Sequence, residues 1–166
     1  MLAIGIDPGT AITGYGVVQR AANGDLRALD WGVILTPAEM PGAERLQVIF
    51  HSLNDLLTRH QPHTAAVESL FFQRNVRTAM SVGQARGVVL LALQLAGVPT
   101  SDYNPNQVKQ AVSGYGGADK GQIQSMVRAL LDLPELPKPD DAADALAVAI
   151  CHLNTQRTQQ LIAQNG

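Results

Sequence analysis

Residues 2–10 read Leu-Ala-Ile-Gly-Ile-Asp-Pro-Gly-Thr, a short apolar run that ends at a single carboxylate. The apolar residues before Asp7 predict a buried strand, and Pro8-Gly9 directly after it is typical of a turn. An unpaired charge at the end of an interior strand is unfavourable, because burial removes its hydration. Binding of a cation stabilises a carboxylate in such a place. We therefore interpret Asp7 as a candidate metal ligand, on which later acidic residues are expected to converge.

The composition predicts one soluble globular domain. The chain has 166 residues, of which 46% are hydrophobic and 16% are charged, and this length is enough for a sizeable core. It contains no apolar run of about 18 residues that would predict a membrane span, and its start lacks the pattern of a signal peptide. The single cysteine, Cys151, lies in an apolar helical pattern and is interpreted as a buried residue of a reducing compartment. These features predict a cytoplasmic protein.

The distribution of charge is more informative than the net charge of −2. Residues 74–128 contain six Lys and Arg residues but only two Asp residues, whereas the rest of the chain contains six basic and twelve acidic residues. The middle of the chain could therefore face a polyanion while the acids gather elsewhere. Ordinary solvated surface charge explains the same pattern, so the charge alone does not decide between the two.

The first third of the chain predicts three antiparallel strands. Strands are expected over residues 2–7, 12–20 and 26–36, and Ala22-Asn23-Gly24-Asp25 between the last two is typical of a hairpin turn. After Pro41, apolar residues recur every three or four positions up to residue 57, which predicts an amphipathic helix that ends before Pro62.

The remainder predicts two further strands and four further helices. A strand over residues 64–70 follows a helix and is expected to pair in parallel with the first strand; a fifth strand is expected over 98–103. The predicted helices cover residues 76–96, 105–112, 120–131 and, with Asp140 or Asp141 as its cap, about 140–153. The result is an α/β fold with a mixed five-stranded sheet and helices on both faces. We expect a single domain over residues 1–155, followed by a frayed polar tail over 156–166.

Other carboxylates are placed so that they could join Asp7. Glu68 interrupts an apolar strand, and parallel neighbours would bring it and Asp7 to the same edge of the sheet. Near the last helix start, Asp141 and Asp144 share a face at i and i+3, and Asp140 and Asp144 do so at i and i+4. Acids at a helix start also complement its dipole, but Asp144 lies a full turn inside.

This donor set predicts a site for hard cations. Carboxylate oxygens suit Mg²⁺ or Mn²⁺. Two such ions about 4 Å apart can clamp a phosphodiester, one activating water and the other stabilising the leaving oxygen. Bound cations would also explain how an acidic site accepts DNA, because they invert the sign of the local charge.

Five ordered motifs between residues 2 and 152 resemble one family. They are IGIDPGT with TGYGV, VES followed by Phe-Phe, GQARGV, QVKQAVSGYGGADKGQIQSMV and DDAADALAVAI. Together they resemble the RuvC family of crossover junction endodeoxyribonucleases. The resemblance implies a ribonuclease H-like fold, a homodimer, and cleavage of Holliday junctions with two divalent cations per site. It also implies paired nicks that leave 5′-phosphate and 3′-hydroxyl ends, and work alongside the RuvA and RuvB branch-migration proteins.

The same resemblance implies roles for individual residues. It assigns the catalytic and metal-binding acids to Asp7, Glu68, Asp141 and Asp144, with the Asp-Ala-Ala-Asp spacing favouring Asp141 over Asp140. It assigns stacking on bases at the crossover to Phe71, with Phe72 as the competing candidate. The expected contacts to the DNA backbone are Lys109 and Lys120, with Arg74, Arg77 and Arg86 as further candidates. The apolar half of the helix over 76–96 is expected to form the dimer interface.

Three other classes of protein share part of this pattern. Sugar kinases and actin-like ATPases have a similar turn of the form Asp-X-Gly-Thr, but they need two such domains. A ribonuclease H or a YqgF-type nuclease would have the same fold, and the Lys120 loop with the DAADALA motif argues against both. A non-catalytic junction-binding protein would not need four acids, which would repel DNA without cations.

Overall fold

The structure, a computed structural model, describes residues 1–69 and 76–165, apart from the side chains of 76–78 and 165. Its strands are β1 (Leu2–Asp7), β2 (Ile12–Arg20), β3 (Leu26–Leu35), β4 (Thr64–Glu68) and β5 (Thr100–Tyr103). Its helices are α1 (Gly42–His60), α2 (Val76–Leu95), α3 (Pro105–Ser113), α4 (Lys120–Leu130) and α5 (Asp140–Asn165). Within the described ranges, no helix is both long and apolar enough to cross a membrane.

The five strands form one mixed sheet in the order β3-β2-β1-β4-β5. β1 pairs antiparallel with β2 and parallel with β4, while β2–β3 is antiparallel and β4–β5 is parallel. The short turn after Asp7 returns the chain beside β1, whereas α1 supplies the crossover that a parallel neighbour requires. The predicted mixed sheet is confirmed, and β1 lies at its centre.

Alternation along β1 divides the core into two layers. Ile4 and Ile6 face one side, where α1 and α2 cover the sheet, and Ala3 faces the other, where α3, α4 and α5 pack. Gly5 and Asp7 share the Ala3 face, because side chains alternate along a strand. By the same rule Glu68 lies on the face of Ala66, which belongs to the α5 layer. Both acids therefore point toward the layer of α5.

Helix α5 packs against the sheet at backbone contact. A Cβ added to Gly5 would lie 2.2 Å from the Ala145 carbonyl oxygen, and one added to Gly14 would lie 2.0 Å from that of Asp141. Residues 142, 143, 145, 147 and 149 of the helix are all alanines, which also permits this close approach. Because Gly14 is opposite Asp7 in the sheet, the start of α5 is fixed above the end of β1.

Further along α5, the buried His152 links the helix to two strands of the sheet. His152 Nε2 lies 2.8 Å from Thr64 Oγ1, and His152 Nδ1 lies 3.0 Å from the Tyr103 hydroxyl. Thr64 Oγ1 donates to the Pro99 carbonyl, so we infer that His152 Nε2 donates to Thr64 and Nδ1 accepts from Tyr103. Burial lowers the pKa of His152. The histidine thus joins α5 to β4 and β5 in its neutral form, in agreement with a structural role.

Three predicted boundaries differ from the structure by two residues or more. The last helix was expected to end near residue 153, but α5 continues to Asn165, and residues 157–164 are exposed. This stretch contains no Gly or Pro that would stop a helix, and its polar composition reflects exposure. Strand β4 ends at Glu68 and β5 begins at Thr100, each two residues inside the expected limits. Fraying of the tail and the single-domain boundary at residue 155 remain predictions.

The contact between Gly5 and α5 can be tested with one methyl group. We expect Gly5→Ala to lower the free energy of unfolding by about 1–3 kcal/mol or more, because backbone atoms of α5 must move. Gly42→Ala is the matched control, since no atom lies within 4 Å of a Cβ added there. Denaturant unfolding measures both variants. Equal stability of Gly5→Ala and Gly42→Ala would contradict the packing described.

Candidate active site

Asp7 and Glu68 are brought together by the parallel pairing of β1 and β4. Ile6 pairs with Val67 in this register, so the two acids are the next residues on adjacent strands. Each is the last residue of its strand, and both side chains face α5. The structure places them in direct hydrogen-bond contact. The predicted meeting of these acids at the carboxyl edge of the sheet is therefore confirmed.

Burial makes this pair of acids hold a proton. Loss of hydration raises the pKa of Asp7 to about 6, although the hydrogen bond with Glu68 opposes the shift. Burial, the charge of Asp7 and the hydrogen bond to Asp7 raise the pKa of Glu68 to about 8. Because both pKa values are raised, the two carboxyls share a proton in the hydrogen bond that joins them. At neutral pH, and without a cation, one proton lies between two acids.

The start of α5 adds two more carboxylates to the cluster. The charges of Asp144 and Asp141 both raise the pKa of Asp7, which shows that both acids lie near it. Burial raises the pKa of Asp144. The charge of Lys120 opposes this shift but is the smaller effect, so the pKa stays above its ordinary value. The backbone of Asp141 touches Gly14, as described above. Four acids from three separate elements thus share one electrostatic environment.

Asp140, the first residue of α5, pairs with side chains of α4. Its Oδ2 lies 3.1 Å from Lys120 Nζ, and its Oδ1 accepts a hydrogen bond of 2.9 Å from Gln124 Nε2. The hydrogen bond from Lys120 lowers the pKa of Asp140, whose side chain is exposed. The side chain that was considered as a cap for α5 thus binds α4 instead. This geometry supports Asp141 over Asp140 as the fourth acid of the site.

Two lysines line a cavity beside the acids. The cavity has a volume of about 250 Å³, and its lining includes Glu68, Asp144, Lys109 and Lys120. Lys120 Nζ lies 3.7 Å from Asp144 Oδ2, and the charge of Lys109 lowers the pKa of Glu68. Lys109 comes from α3 and Lys120 from the first turn of α4. The cavity thus combines cations that can bind phosphate with the acids that can bind a metal.

Several other predicted contacts cannot be placed. Phe71, Phe72 and Arg74 lie outside the described residues, and so does the side chain of Arg77. Arg86 is described, and its guanidinium donates a 2.7 Å hydrogen bond to Asp102. The roles of the first four residues stay predictions, while Arg86 already has an acidic partner within the fold.

The donor set fits a divalent cation in its chemistry. Four carboxylates offer hard oxygen ligands, and the proton between Asp7 and Glu68 occupies a place where a cation would neutralise the same charge. Within residues 1–69 and 76–165, however, no three His, Cys, Asp or Glu side chains are arranged so that they could hold a metal ion. Lys120 lies against Asp144 instead. The assignment of the four acids as ligands is therefore a proposal.

One contact of the site was not foreseen from the sequence. Gln124 fixes Asp140, which in turn holds Lys120 at the edge of the cluster. The sequence does indicate that Lys120 and Gln124 lie on one face of a predicted helix, because their spacing is i, i+4, and could therefore bind the same partner. The partner on α5 could not be inferred, because the angle between α4 and α5 is a tertiary feature.

Comparison with known proteins identifies the family. The family model described as "Crossover junction endodeoxyribonuclease RuvC" matches residues 3–152. A protein of that name from Chloroflexus aggregans is 59% identical over 160 residues, which are 96% of this chain and 97% of the relative. The chain belongs to the RuvC family of crossover junction endodeoxyribonucleases.

Solved structures of RuvC agree with this assignment. A structure of Thermus thermophilus RuvC is 42% identical, with a TM-score of 0.90 over 96% of this chain and 97% of that chain. A second structure, of T. thermophilus RuvC in complex with a Holliday junction substrate, is 39% identical, with a TM-score of 0.87 over 95% and 96% of the two chains. The expected ribonuclease H-like fold and nuclease class are therefore confirmed. Membership of the RuvC family also implies dependence on a divalent metal.

The proton held by Glu68 predicts an unusual dependence of stability on pH. The pKa of Glu68 is raised from 4.5 to about 8, so the folded protein binds more protons than the unfolded chain between these values. Stability without metal must then fall as pH rises through this window. We expect Glu68→Gln in EDTA to be more stable than the wild type at pH 8.5, on the order of 2–4 kcal/mol.

The advantage of this variant should disappear at pH 5, where Glu68 is protonated in the folded wild type. Glu135→Gln is the matched control, because Glu135 is exposed on the connector before α5. Thermal unfolding at both pH values measures the effect. A Glu68→Gln variant that is less stable than the wild type at pH 8.5 would contradict the shared proton.

Proposed function

We propose that this chain resolves Holliday junctions by cutting two strands at symmetric positions. In each cut, water attacks the phosphodiester and leaves a 5′-phosphate and a 3′-hydroxyl end. The reaction uses two divalent cations per site, Mg²⁺ or Mn²⁺, held by Asp7, Glu68, Asp141 and Asp144. The family assignment supports the reaction class. The T. thermophilus structure, which contains a Holliday junction substrate, supports the choice of DNA.

The cavity between α3, α4 and α5 is the observation that supports this function best. It presents Lys109 and Lys120 on the same walls as Glu68 and Asp144. A phosphodiester in this cavity would meet ammonium groups that bind its oxygens and carboxylates that hold cations against it. A site for binding DNA alone would gain nothing from the acids, since they repel phosphate.

The acids of this chain have separable tasks in that reaction. The chemistry that divalent cations supply in such sites is activation of water and stabilisation of the leaving oxygen. Asp7 and Glu68 lie on rigid, central strands and fix the position of the ligand oxygens. Asp141 and Asp144 close the site from α5. With a cation neutralising Asp144, Lys120 would be free to bind the phosphate, and its contact with Asp140, which Gln124 also binds, would keep it nearby.

Two copies of the chain are needed for paired cuts, and α2 offers a surface for them. Its exposed large apolar residues Met80, Leu91 and Leu95 are 70%, 53% and 68% exposed. Their spacing of eleven and four residues places them on one face of the helix. The opposite face of α2, which includes Ala85 and Val89, is buried in the core between α1, α2 and the sheet. We propose that the exposed face joins two copies into a homodimer.

The remaining assignments follow from the proposed reaction. Holliday junctions arise in DNA recombination and repair, and the enzyme would act on them in the cytoplasm. RuvA and RuvB, which move the branch point, are the proposed partners. Lys109 and Lys120 are proposed to contact the DNA backbone, together with Arg74 and Arg77. Phe71 or Phe72 is proposed to stack on bases at the crossover.

The carboxylates are tested by a synthetic four-way junction with Mg²⁺ or Mn²⁺. We expect Asp7→Asn and Asp141→Asn to slow nicking by at least about 100-fold, because each removes several kcal/mol of charge stabilisation. Both variants should still bind the junction, since the lysines remain. Gel analysis of end-labelled strands measures the rate and the symmetry of the cuts.

Asp140→Asn is the matched control for Asp141→Asn, because it changes the neighbouring acid by the same single atom. We expect it to cut within a few-fold of the wild-type rate. A loss at Asp140 with none at Asp141 would reverse the assignment. Equal cutting of duplex and junction by the wild type would contradict the resolvase function.

The aromatic pair is tested separately. We expect Phe71→Ala to bind the junction but to lose cleavage, because stacking worth about 1–3 kcal/mol per base would no longer hold the crossover open. Phe72→Ala is the control for a general loss of apolar surface. Cleavage that is lost only in Phe72→Ala would transfer the role to Phe72, and two active variants would exclude both.

A further inference from the structure

Tyr115 is an exposed aromatic residue in the glycine-rich loop between α3 and α4. The side chain is among the exposed large hydrophobic groups of the protein, with 67% of the residue accessible. The loop connects the helix that bears Lys109 to the helix that begins with Lys120. Single exposed apolar residues are common on protein surfaces, but this one lies in the chain between two lysines of the site and has a fixed support, which the contacts below describe.

The ring is supported from one side by Gly117. A Cβ added to Gly117 would lie 2.6 Å from both Cζ and the hydroxyl oxygen of Tyr115, and 2.8 Å from Cε1. The ring thus rests on the backbone at a residue where any side chain would displace it. Such support orients the ring while most of its surface stays open.

The backbone of Tyr115 is also tied to the helix of Lys109. Ser113 Oγ lies 2.8 Å from the carbonyl oxygens of both Lys109 and Tyr115, and it accepts a hydrogen bond of 3.2 Å from the Tyr115 amide. At the other end of the loop, Asp119 caps α4 and accepts from the Gln122 amide at 2.8 Å. The ring is therefore held on an ordered loop between the two helices that bear these lysines, and such order reduces the entropy lost on binding.

We propose that Tyr115 is a DNA-contacting residue whose ring stacks on a nucleobase of the strand that Lys109 and Lys120 hold. This inference rests on the proposed function of the same site. An aromatic platform beside cations that follow the backbone is how proteins bind unpaired strands, because every base has a face that can stack. The stack would hold the nucleotides next to the phosphate in the cavity and so position that phosphate.

Binding of a junction in EDTA separates stacking from charge. We expect Tyr115→Leu to weaken binding about 5- to 150-fold, and Tyr115→Phe to restore most of that loss, because only the ring is needed. The salt dependence of binding should keep its slope in Tyr115→Leu, whereas Lys120→Gln should reduce the slope by about one. Tyr115 is exposed, so its replacement leaves the fold intact.

Gly117→Ala provides an independent test of geometry. Its methyl group displaces the ring, so the variant should weaken binding as Tyr115→Leu does. In the background of Tyr115→Leu, the same change should cause no further loss. Equal losses in both backgrounds would show that the loop, and not the ring, contacts DNA, and would overturn the proposal.

A crosslink identifies the contact directly. 5-Iodouracil placed next to the cleaved phosphate should join, on irradiation, to the tryptic peptide of residues 110–120, in which Tyr115 is the only aromatic residue. If the wild type binds the junction but forms no crosslink through this peptide, and Tyr115→Leu binds equally well, the inference about Tyr115 fails while the proposed function stands. If the wild type does not bind the junction, the proposed function fails with it.

Discussion

The site depends on the backbone contact between α5 and the two central strands. Gly5 and Gly14 leave room for the carbonyl oxygens of Ala145 and Asp141, at distances where a Cβ would collide. This contact sets the height of α5 above the sheet, and the helix runs antiparallel to β1. Its first turn therefore lies above the ends of β1 and β4. Without these glycines, two acids from the sheet and two from the helix could not share one environment.

The close packing has an electrostatic consequence. Burial of Asp7 and Glu68 at the strand ends raises their pKa values and leaves one proton between them. Burial also raises the pKa of Asp144, although Lys120 opposes the shift. Without cations, the repulsion between these carboxylates is reduced only by the shared proton and by the ammonium group of Lys120. Divalent cations would replace both and make the same surface attractive to phosphate.

Much of this arrangement could be predicted from alternation and spacing alone. Asp7 and Glu68 each end an apolar run, and a parallel pairing of β1 with β4 forces their meeting. Asp144 lies one turn inside an alanine-rich helix, where capping does not explain it. These inferences need only local patterns and one rule of topology.

The Asp-Ala-Ala-Asp spacing favours Asp141 over Asp140, and the tertiary contacts of the two residues support that proposal. Both lie in the first turn of α5, and they differ in their neighbours. Asp140 binds Lys120 and Gln124, whereas the backbone of Asp141 touches Gly14 and its charge raises the pKa of Asp7. The length of α5 was missed for a related reason, since a polar stretch without Gly or Pro fits a tail or an exposed helix equally well. The use of Tyr115 likewise depends on Gly117 two residues away, which the sequence presents only as one glycine among several.

Asp7 and Glu68 share a proton in the cation-free protein, and we expect a divalent cation to displace it. Calorimetric titration of the protein with Mn²⁺ or Mg²⁺ at pH 7, in buffers of different ionisation enthalpy, counts the protons released. We expect the wild type to release about one proton per site, and Glu68→Gln to release markedly less. Binding of the cation without proton release, or with equal release by both proteins, would contradict it.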